Sequence, residues 1–254
     1  MKAASALTDG IHFLDARAPD GMRLYAIGDV HGRLDLLSGM HRTIAAEIER
    51  DRPADWRIIH LGDYVDRGPD SRGVIDFLIA AQQRDPRIIA LAGNHDIGFR
   101  DFLAMPAADG LFSRYGGRET ALSYGVAIDF DDPASLEQGW KDLVSAVSPE
   151  QKHFLHDLPY SVSFGDFFFC HAGVRPGIAL DRQAHEDLIW VRAVFLDHPG
   201  LYEKVIVHGH TPQAEAEPMP NRVNVDTAAY QSGRLTALVV DGGDKRILTE
   251  SGKA

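Results

Sequence analysis

Apolar positions along the chain come in short continuous runs, each followed by a polar, glycine-containing loop and then by a stretch whose apolar residues recur at helical spacing. "RLYAIGDVHGR" (23–33) reads as strand into loop, and "LDLLSGMHRTIAAEIER" (34–50) as an amphipathic helix presenting Leu34, Leu37, Ile44 and Ile48. "WRIIHLGDYVDRGPDS" (56–71) repeats strand and loop, "RGVIDFLIAAQQR" (72–84) gives the next helix, and "RIIALAGNHD" (87–96) a third strand. Strands alternating with helices imply βαβ crossovers and a parallel sheet, and open sheets of this kind bind ligands at the carboxyl ends of their strands. The same three loops carry Asp, His and Asn, so a site is expected at that edge.

Residues from about 100 to 158 break this rhythm. Their pattern is mostly helical, interrupted at "MPAADG", "YGGRETALSYG" and "DDPASLEQGW", which predicts an inserted helical cap. From "YSVSFGDFFFCHAGV" onward strand signals return. "KVIVHGHTP", "NRVNVDTAA" and "RLTALVVDG" are three β-rich runs, with one helix near 182–196. This half predicts a second, more antiparallel sheet, and the whole an α/β architecture.

Composition narrows the class. With 254 residues, 44% hydrophobic and 25% charged, the chain suits one domain over 1–254 with an ordinary buried core. No apolar run approaches the roughly 18 residues a membrane helix needs. The first 22 residues lack a continuous apolar stretch of the kind a secretory signal carries and are read as a partly ordered N-terminal arm. A single cysteine, Cys170, rules out an internal disulfide and fits a reducing compartment, the cytoplasm. A formal net charge of −11 works against a nucleic-acid partner.

Of the twelve histidines, five (His31, His95, His171, His208 and His210) stand at the ends of strand-like runs beside Gly, Asp or Asn. In "GDVHG", Asp29 and His31 are two apart and project to one side of an extended strand end. "GDYVDRG" adds Asp63, whose two carboxylate oxygens can bridge two cations. "GNHD", "CHAG" and "HGHTP" supply Asn94, His171 and His210. Imidazole nitrogen mixed with carboxylate and amide oxygen suits Mn, Fe or Zn better than Mg or Ca, and the absence of cysteine ligands argues against a structural zinc. The constellation reads as a catalytic centre of two divalent metals, able to generate hydroxide and to clamp phosphoryl oxygens.

The ordered set "GDVHGR", "GDYVDRGPDS", "GNHD", "FCHAG" and "VHGHTP" resembles the calcineurin-like metallophosphoesterase superfamily, specifically its phosphoprotein phosphatase branch of Ser/Thr protein phosphatases and bacterial diadenosine tetraphosphatases. The likeness spans residues 24 to about 240. It implies a four-layer sandwich of two mixed β-sheets flanked by helices. It implies that Asp29, His31 and Asp63 hold a first metal and that Asp63, Asn94, His171 and His210 hold a second. Manganese is the first choice, iron or zinc the alternatives. Where the wider superfamily often has a further histidine, this chain has Pro212, as in the phosphoprotein phosphatase branch.

The resemblance further implies that His95 is the general acid and Asp66 its hydrogen-bonded partner. The chemistry agrees: an alkoxide is a poor leaving group, and an imidazolium steadied by a carboxylate can protonate it. Arg67, and Arg192 in "LIWVR", would bind phosphate oxygens, together with Asn94. His208 is read as packing near the site and Cys170 as a buried small residue. Asp96 is read as a support at a helix start. Arg114 and Arg118 in the cap are either substrate contacts or solvated surface. Asp226 in "NVDTAA" matches a family Asp-Thr-Gly-Ala segment that lacks its glycine here, and is assigned to loop support. The expected activity is hydrolysis of phosphoserine and phosphothreonine in proteins by direct attack of dimetal-bound hydroxide. Symmetrical hydrolysis of diadenosine tetraphosphate is the alternative, and a non-catalytic scaffold a remote third. The partner is then a phosphoprotein or a small phosphorylated molecule, without nucleic acid or membrane.

Overall fold

Residues 10–252 are described by a computed structural model, in which two five-stranded sheets stack with helices on both outer faces. The first sheet has the order β10 (Asp244–Ser251), β9 (Arg234–Asp241), β1 (Met22–Ile27), β2 (Asp55–His60), β3 (Ile88–Ala90). The second has the order β4 (Ser161–Phe164), β5 (Phe167–Cys170), β6 (Val205–His208), β8 (Arg222–Asn224), β7 (Glu217–Pro218). The period of two along each strand sorts side chains between layers. Leu24 and Ala26 of β1 join Phe167 and Phe169 of β5 and Val205 and Val207 of β6 in the cluster between the sheets. Tyr25 and Ile27 point the other way, toward the helices α1 (Leu34–Asp51) and α2 (Ser71–Arg84). Phe168, Cys170 and Ile206 face α8 (His185–Trp190) and α9 (Ala193–Leu196). The result is helix, sheet, sheet, helix.

β1, β2 and β3 pair in parallel through α1 and α2, as the alternation predicts. On α1, Leu37 and Ile44 are fully buried, with Leu34 and Ile48 packed at the margin. Asp70 caps α2 by accepting the Gly73 N–H at 2.8 Å.

Three expectations need correction. The second sheet is parallel at its centre, β5 with β6 and β6 with β8, and antiparallel only at its edges. The run "RLTALVVDG" does not belong to it: as β9 it crosses into the first sheet and lies antiparallel to β1, with Leu24 opposite Val240. An apolar run buried on both faces states that a strand is internal and leaves its sheet unspecified. The expected helix at 182–196 is broken at Val191 and Arg192, where the backbone leaves helical geometry before α9 begins.

Helices fill the chain from 94 to 157: α3 (Asn94–Ala104), α4 (Leu111–Arg114), α5 (Gly117–Ser123), α6 (Pro133–Ala146) and α7 (Pro149–Asp157). They are tied down by polar bonds as well as by packing. Trp140 donates to the Leu103 carbonyl at 3.1 Å, and Gln151 to Asp76 at 2.6 Å. A capping box of Ser148 and Gln151 starts α7. Of the expected N-terminal arm, residues 1–9 lie outside the described residues. The remainder lies along the second sheet, with Ala16 and Ala18 buried between the sheets. Among the described residues no helix is long and apolar enough to cross a membrane. The short helix α10 (Ala229–Ser232) precedes β9.

One histidine pair, His60 fully buried and His41 partly so, gives the fold a pH dependence. His41 of α1 and His60 of β2 stack at 5.1 Å and share a proton between their Nε2 atoms, 3.0 Å apart. Burial lowers His41 from 6.5 to about 4 and holds His60 well below its ordinary value. Between these two pH values the unfolded chain takes up protons that the folded chain refuses, so stability falls as pH drops from about 6.5 to about 4. Urea midpoints across that range should fall more steeply for the wild type than for His41→Gln; parallel curves would exclude the pair as the source.

Candidate metal centre and active site

The candidate metal ligands, the His95–Asp66 pair and Arg67 lie where strands give way to loops, while Arg192 stands between α8 and α9. Asp29 and His31 follow β1, Asp63, Asp66 and Arg67 follow β2, and Asn94 and His95 open α3 after β3. His171 follows β5 and His210 follows β6, so both sheets deliver side chains to one edge. The turns there are tight. Among the described residues seven non-glycine residues have positive φ, and His31, Asp63, Asp66, Arg67 and His210 are five of them. Left-handed backbone costs L-residues energy and collects at functional sites, where the surroundings hold it in place. Glycines make room for these turns: a Cβ on Gly68 would lie 1.9 Å from the His31 carbonyl, and one on Gly93 2.2 Å from the Asp63 nitrogen.

Asp63 is the hub. Two groups of possible ligand atoms share it, His31, Asp63 and His95 in one, and Asp63, His171 and His210 in the other, with the atoms of each group within 4.8 Å of one another. All are buried. His31 Nδ1 donates to the Val65 carbonyl at 2.7 Å and His171 Nδ1 to the Leu61 carbonyl at 3.0 Å. Each ring is thereby fixed with Nε2 turned to Asp63, at 3.5 and 3.4 Å. His171 Nε2 also faces the Asn94 oxygen at 2.9 Å, so it looks onto two acceptors. Such an arrangement holds only with positive charge between the atoms, from a proton or a cation. Burial opposes the proton, yet Asp63 and Asp29 lift His171 to about 9. Burial leaves His31 and His210 far below their ordinary value, as neutral ligands would be. The donor set therefore fits two divalent cations sharing Asp63.

Asp29 sits differently from its neighbours. Its carboxylate accepts the His210 N–H, at 3.1 and 3.3 Å, and is not part of either close group, where His95 stands in its place. Burial and the charge of Asp226 push Asp29 well above the carboxylate range.

His95 and Asp66 form a dyad, Nδ1 to Oδ2 at 2.7 Å. Burial opposes a proton on His95, but the carboxylates of Asp63 and Asp66 outweigh it and raise its pKa. Thr120, from α5, donates to the other oxygen of Asp66 at 2.8 Å. The guanidinium of Arg67 bridges His31 Nε2 at 3.0 Å and His95 Nε2 at 2.9 Å, and Arg192 donates to His210 Nε2 at 2.9 Å. Cationic groups thus occupy nitrogen lone pairs around the centre, a direct sign of its negative potential.

The remaining candidates separate. His208 is buried edge-on to Phe195 with its Nε2 unpartnered, away from both groups. Burial pushes the Cys170 thiol up, so it is no nucleophile. Arg114 and Arg118 are exposed and line an open polar cavity of about 640 Å³ with Asp109, Glu119 and Asp131. Gly116, between them, accepts the Arg67 N–H at 3.1 Å. Two residues carried no sequence signal for this place: Thr120, and Tyr230, edge-on to His31 at 5.4 Å and 5.0 Å from the Arg67 guanidinium; Trp190, the tryptophan of "LIWVR", stands edge-on to His210 at 5.9 Å.

Asp96 is fully buried and accepts three backbone N–H groups, from Asp63 at 2.8 Å, Tyr64 at 2.9 Å and Gly93 at 3.0 Å. Asp96→Ala strands all three donors, at about 1–3 kcal/mol each. Chemical denaturation should show a loss above about 3 kcal/mol; a loss below about 1 kcal/mol would mean that water replaces the carboxylate.

The asymmetrical bis(5'-nucleosyl)-tetraphosphatase PrpE of Anoxybacillus flavithermus is 26% identical, over 84% of this chain and 88% of that protein. Its Bacillus subtilis counterpart is 24% identical, over 83% and 87%. Two solved structures share the fold. One, described as a candidate diadenosine tetraphosphatase, has a TM-score of 0.63 at 18% identity and covers 91% of this chain and 95% of its own. The other, a Saccharomyces cerevisiae serine/threonine phosphatase, has a TM-score of 0.57 at 15% identity and covers 95% and 86%. The pattern that defines calcineurin-like phosphoesterases matches residues 22–241, and the chain belongs to that family.

Proposed function

We propose that the protein hydrolyses phosphomonoesters, with phosphoserine and phosphothreonine of proteins as its substrates, as a member of the phosphoprotein phosphatase branch. The observation that carries this reading is the His95–Asp66 dyad at 2.7 Å beside the shared Asp63. Serine and threonine leave as alkoxides, the class of leaving group that most needs a proton.

Two divalent cations, manganese first and iron or zinc otherwise, would be held by Asp29, His31 and Asp63 and by Asp63, Asn94, His171 and His210, and would supply an activated water and charge neutralisation. Arg67 and Arg192 bind phosphoryl oxygens through their planar guanidinium groups, with the Asn94 amide beside them. Arg67 has a second task. While it donates to His95 Nε2, that nitrogen cannot carry the acid's proton. A phosphoryl group that draws the guanidinium onto its own oxygens frees Nε2, so substrate binding arms the acid. Asp66, fixed by Thr120, keeps Nδ1 occupied and the ring pointed at the leaving oxygen.

A second reading is hydrolysis of a dinucleoside tetraphosphate, favoured by the names of the PrpE relatives. Those names specify asymmetrical cleavage, whereas the alternative drawn from the sequence is symmetrical. A nucleotide leaving group is a better one and leans less on His95. His95→Asn should lower turnover of an alkyl phosphate by roughly 10²–10⁴-fold and that of an activated aryl phosphate far less; equal losses would remove His95 as the acid. Side-by-side assays on a phosphopeptide and on diadenosine tetraphosphate should show the phosphopeptide cleaved. Cleavage of the dinucleotide alone would overturn the protein substrate, and ATP plus AMP rather than two ADP would make that cleavage asymmetrical.

A further inference from the structure

A third carboxylate stands beside the metal centre. Asp226 lies just beyond β8, the strand next to β6, and is 2% exposed. Two glycines mark how near it comes to Asp29. A Cβ on Gly209 would lie 2.0 Å from Asp29 Oδ1 and 3.5 Å from Asp226 Cβ, and one on Gly28 would lie 3.3 Å from the Asp226 nitrogen. Asp226 Oδ1 accepts the Ala228 N–H at 2.9 Å, which is the loop support expected of it. Among the described residues nothing donates to Oδ2.

That second oxygen is what loop support leaves unexplained. Asp29 receives only the His210 backbone N–H, so two buried carboxylates stand side by side with one backbone donor each. Two such anions are costly without a cation and favourable with one. We propose that Asp226 is a further residue of the cation site on the Asp29 side, its Oδ2 adding negative charge to the wall that holds the first metal. The proposal rests on the dimetal reading of the centre and deepens it: three carboxylates, Asp29, Asp63 and Asp226, face two divalent cations, leaving a net charge of about +1 before substrate enters.

Asp226→Asn separates this role from loop support, because the amide oxygen still accepts the Ala228 N–H while the charge is gone. Mn²⁺ titrated calorimetrically into metal-free wild type should bind two ions per chain. In the variant one ion should bind as before and the other at least tenfold more weakly. Thermal melting supplies the second readout. The metal-free variant should melt no lower than metal-free wild type, since a carboxylate repulsion is removed, and added Mn²⁺ should raise its Tm by less. Two unchanged affinities, or a lower metal-free Tm with an undiminished Mn²⁺ effect, would reduce Asp226 to loop support. A wild type that takes up no ion would overturn the dimetal reading and the proposal with it.

Discussion

The buried carboxylate of Asp63 is the constraint around which the edge of the fold is organised. It lies where both ligand groups overlap, faces His31 and His171, and accepts the backbone N–H of His95 at 2.9 Å. A carboxylate so placed must be met by positive charge from several directions. Asp96 fixes the backbone beneath it from the start of α3, so the second and third crossover loops move as one piece. His31 and His171 are set by the backbone carbonyls of Val65 and Leu61, which makes their orientation a property of the loop that follows β2.

Around this hub the chain accepts strain. Five candidate residues hold left-handed backbone, and the turns at His31, Asp63 and Arg67 need a neighbour with no side chain to clear them. The helices from α3 to α7 are joined to the same turns: Gly116 bonds to Arg67, and Thr120 bonds to Asp66. The part of the molecule that differs most from a plain βαβ succession therefore reaches Arg67 and the His95–Asp66 dyad through α5 and the glycine that precedes it. Variation in that segment can alter substrate choice while leaving the ligands untouched.

The first three strands and their loops were legible because period and composition agree there: apolar runs of strand length, then Gly-Asp or Gly-Asn. The motifs located the loops that converge, and the structure brings Asp63, Asn94, His171 and His210 together as those motifs implied. The sheet membership of β9 was not legible, since pairing with β1 is set by packing across the whole chain. β10 escaped notice as an edge strand with a mostly polar face. Thr120 and Tyr230 are ordinary residues by type and gain their place only through tertiary contact. The missing glycine in "NVDTAA" was the one written clue at its position, and Ala228 does hold positive φ there, at 52°.

The pairing of β1 sets the order in which this centre can come into being. One edge of β1 meets β2, close behind it in the chain, while the other meets β9 near the far end. Ligands are drawn from Asp29 to His210, and the loop that steadies them extends to Asp226. Contacts of such long sequence separation form late. A chain still emerging from the ribosome has the first three loops in hand but lacks His171 and His210, so the group that these two form with Asp63 is still open. The edge where the candidate residues converge is therefore complete only once the last strands are in place, and a product shortened before β9 leaves β1 without its second neighbour.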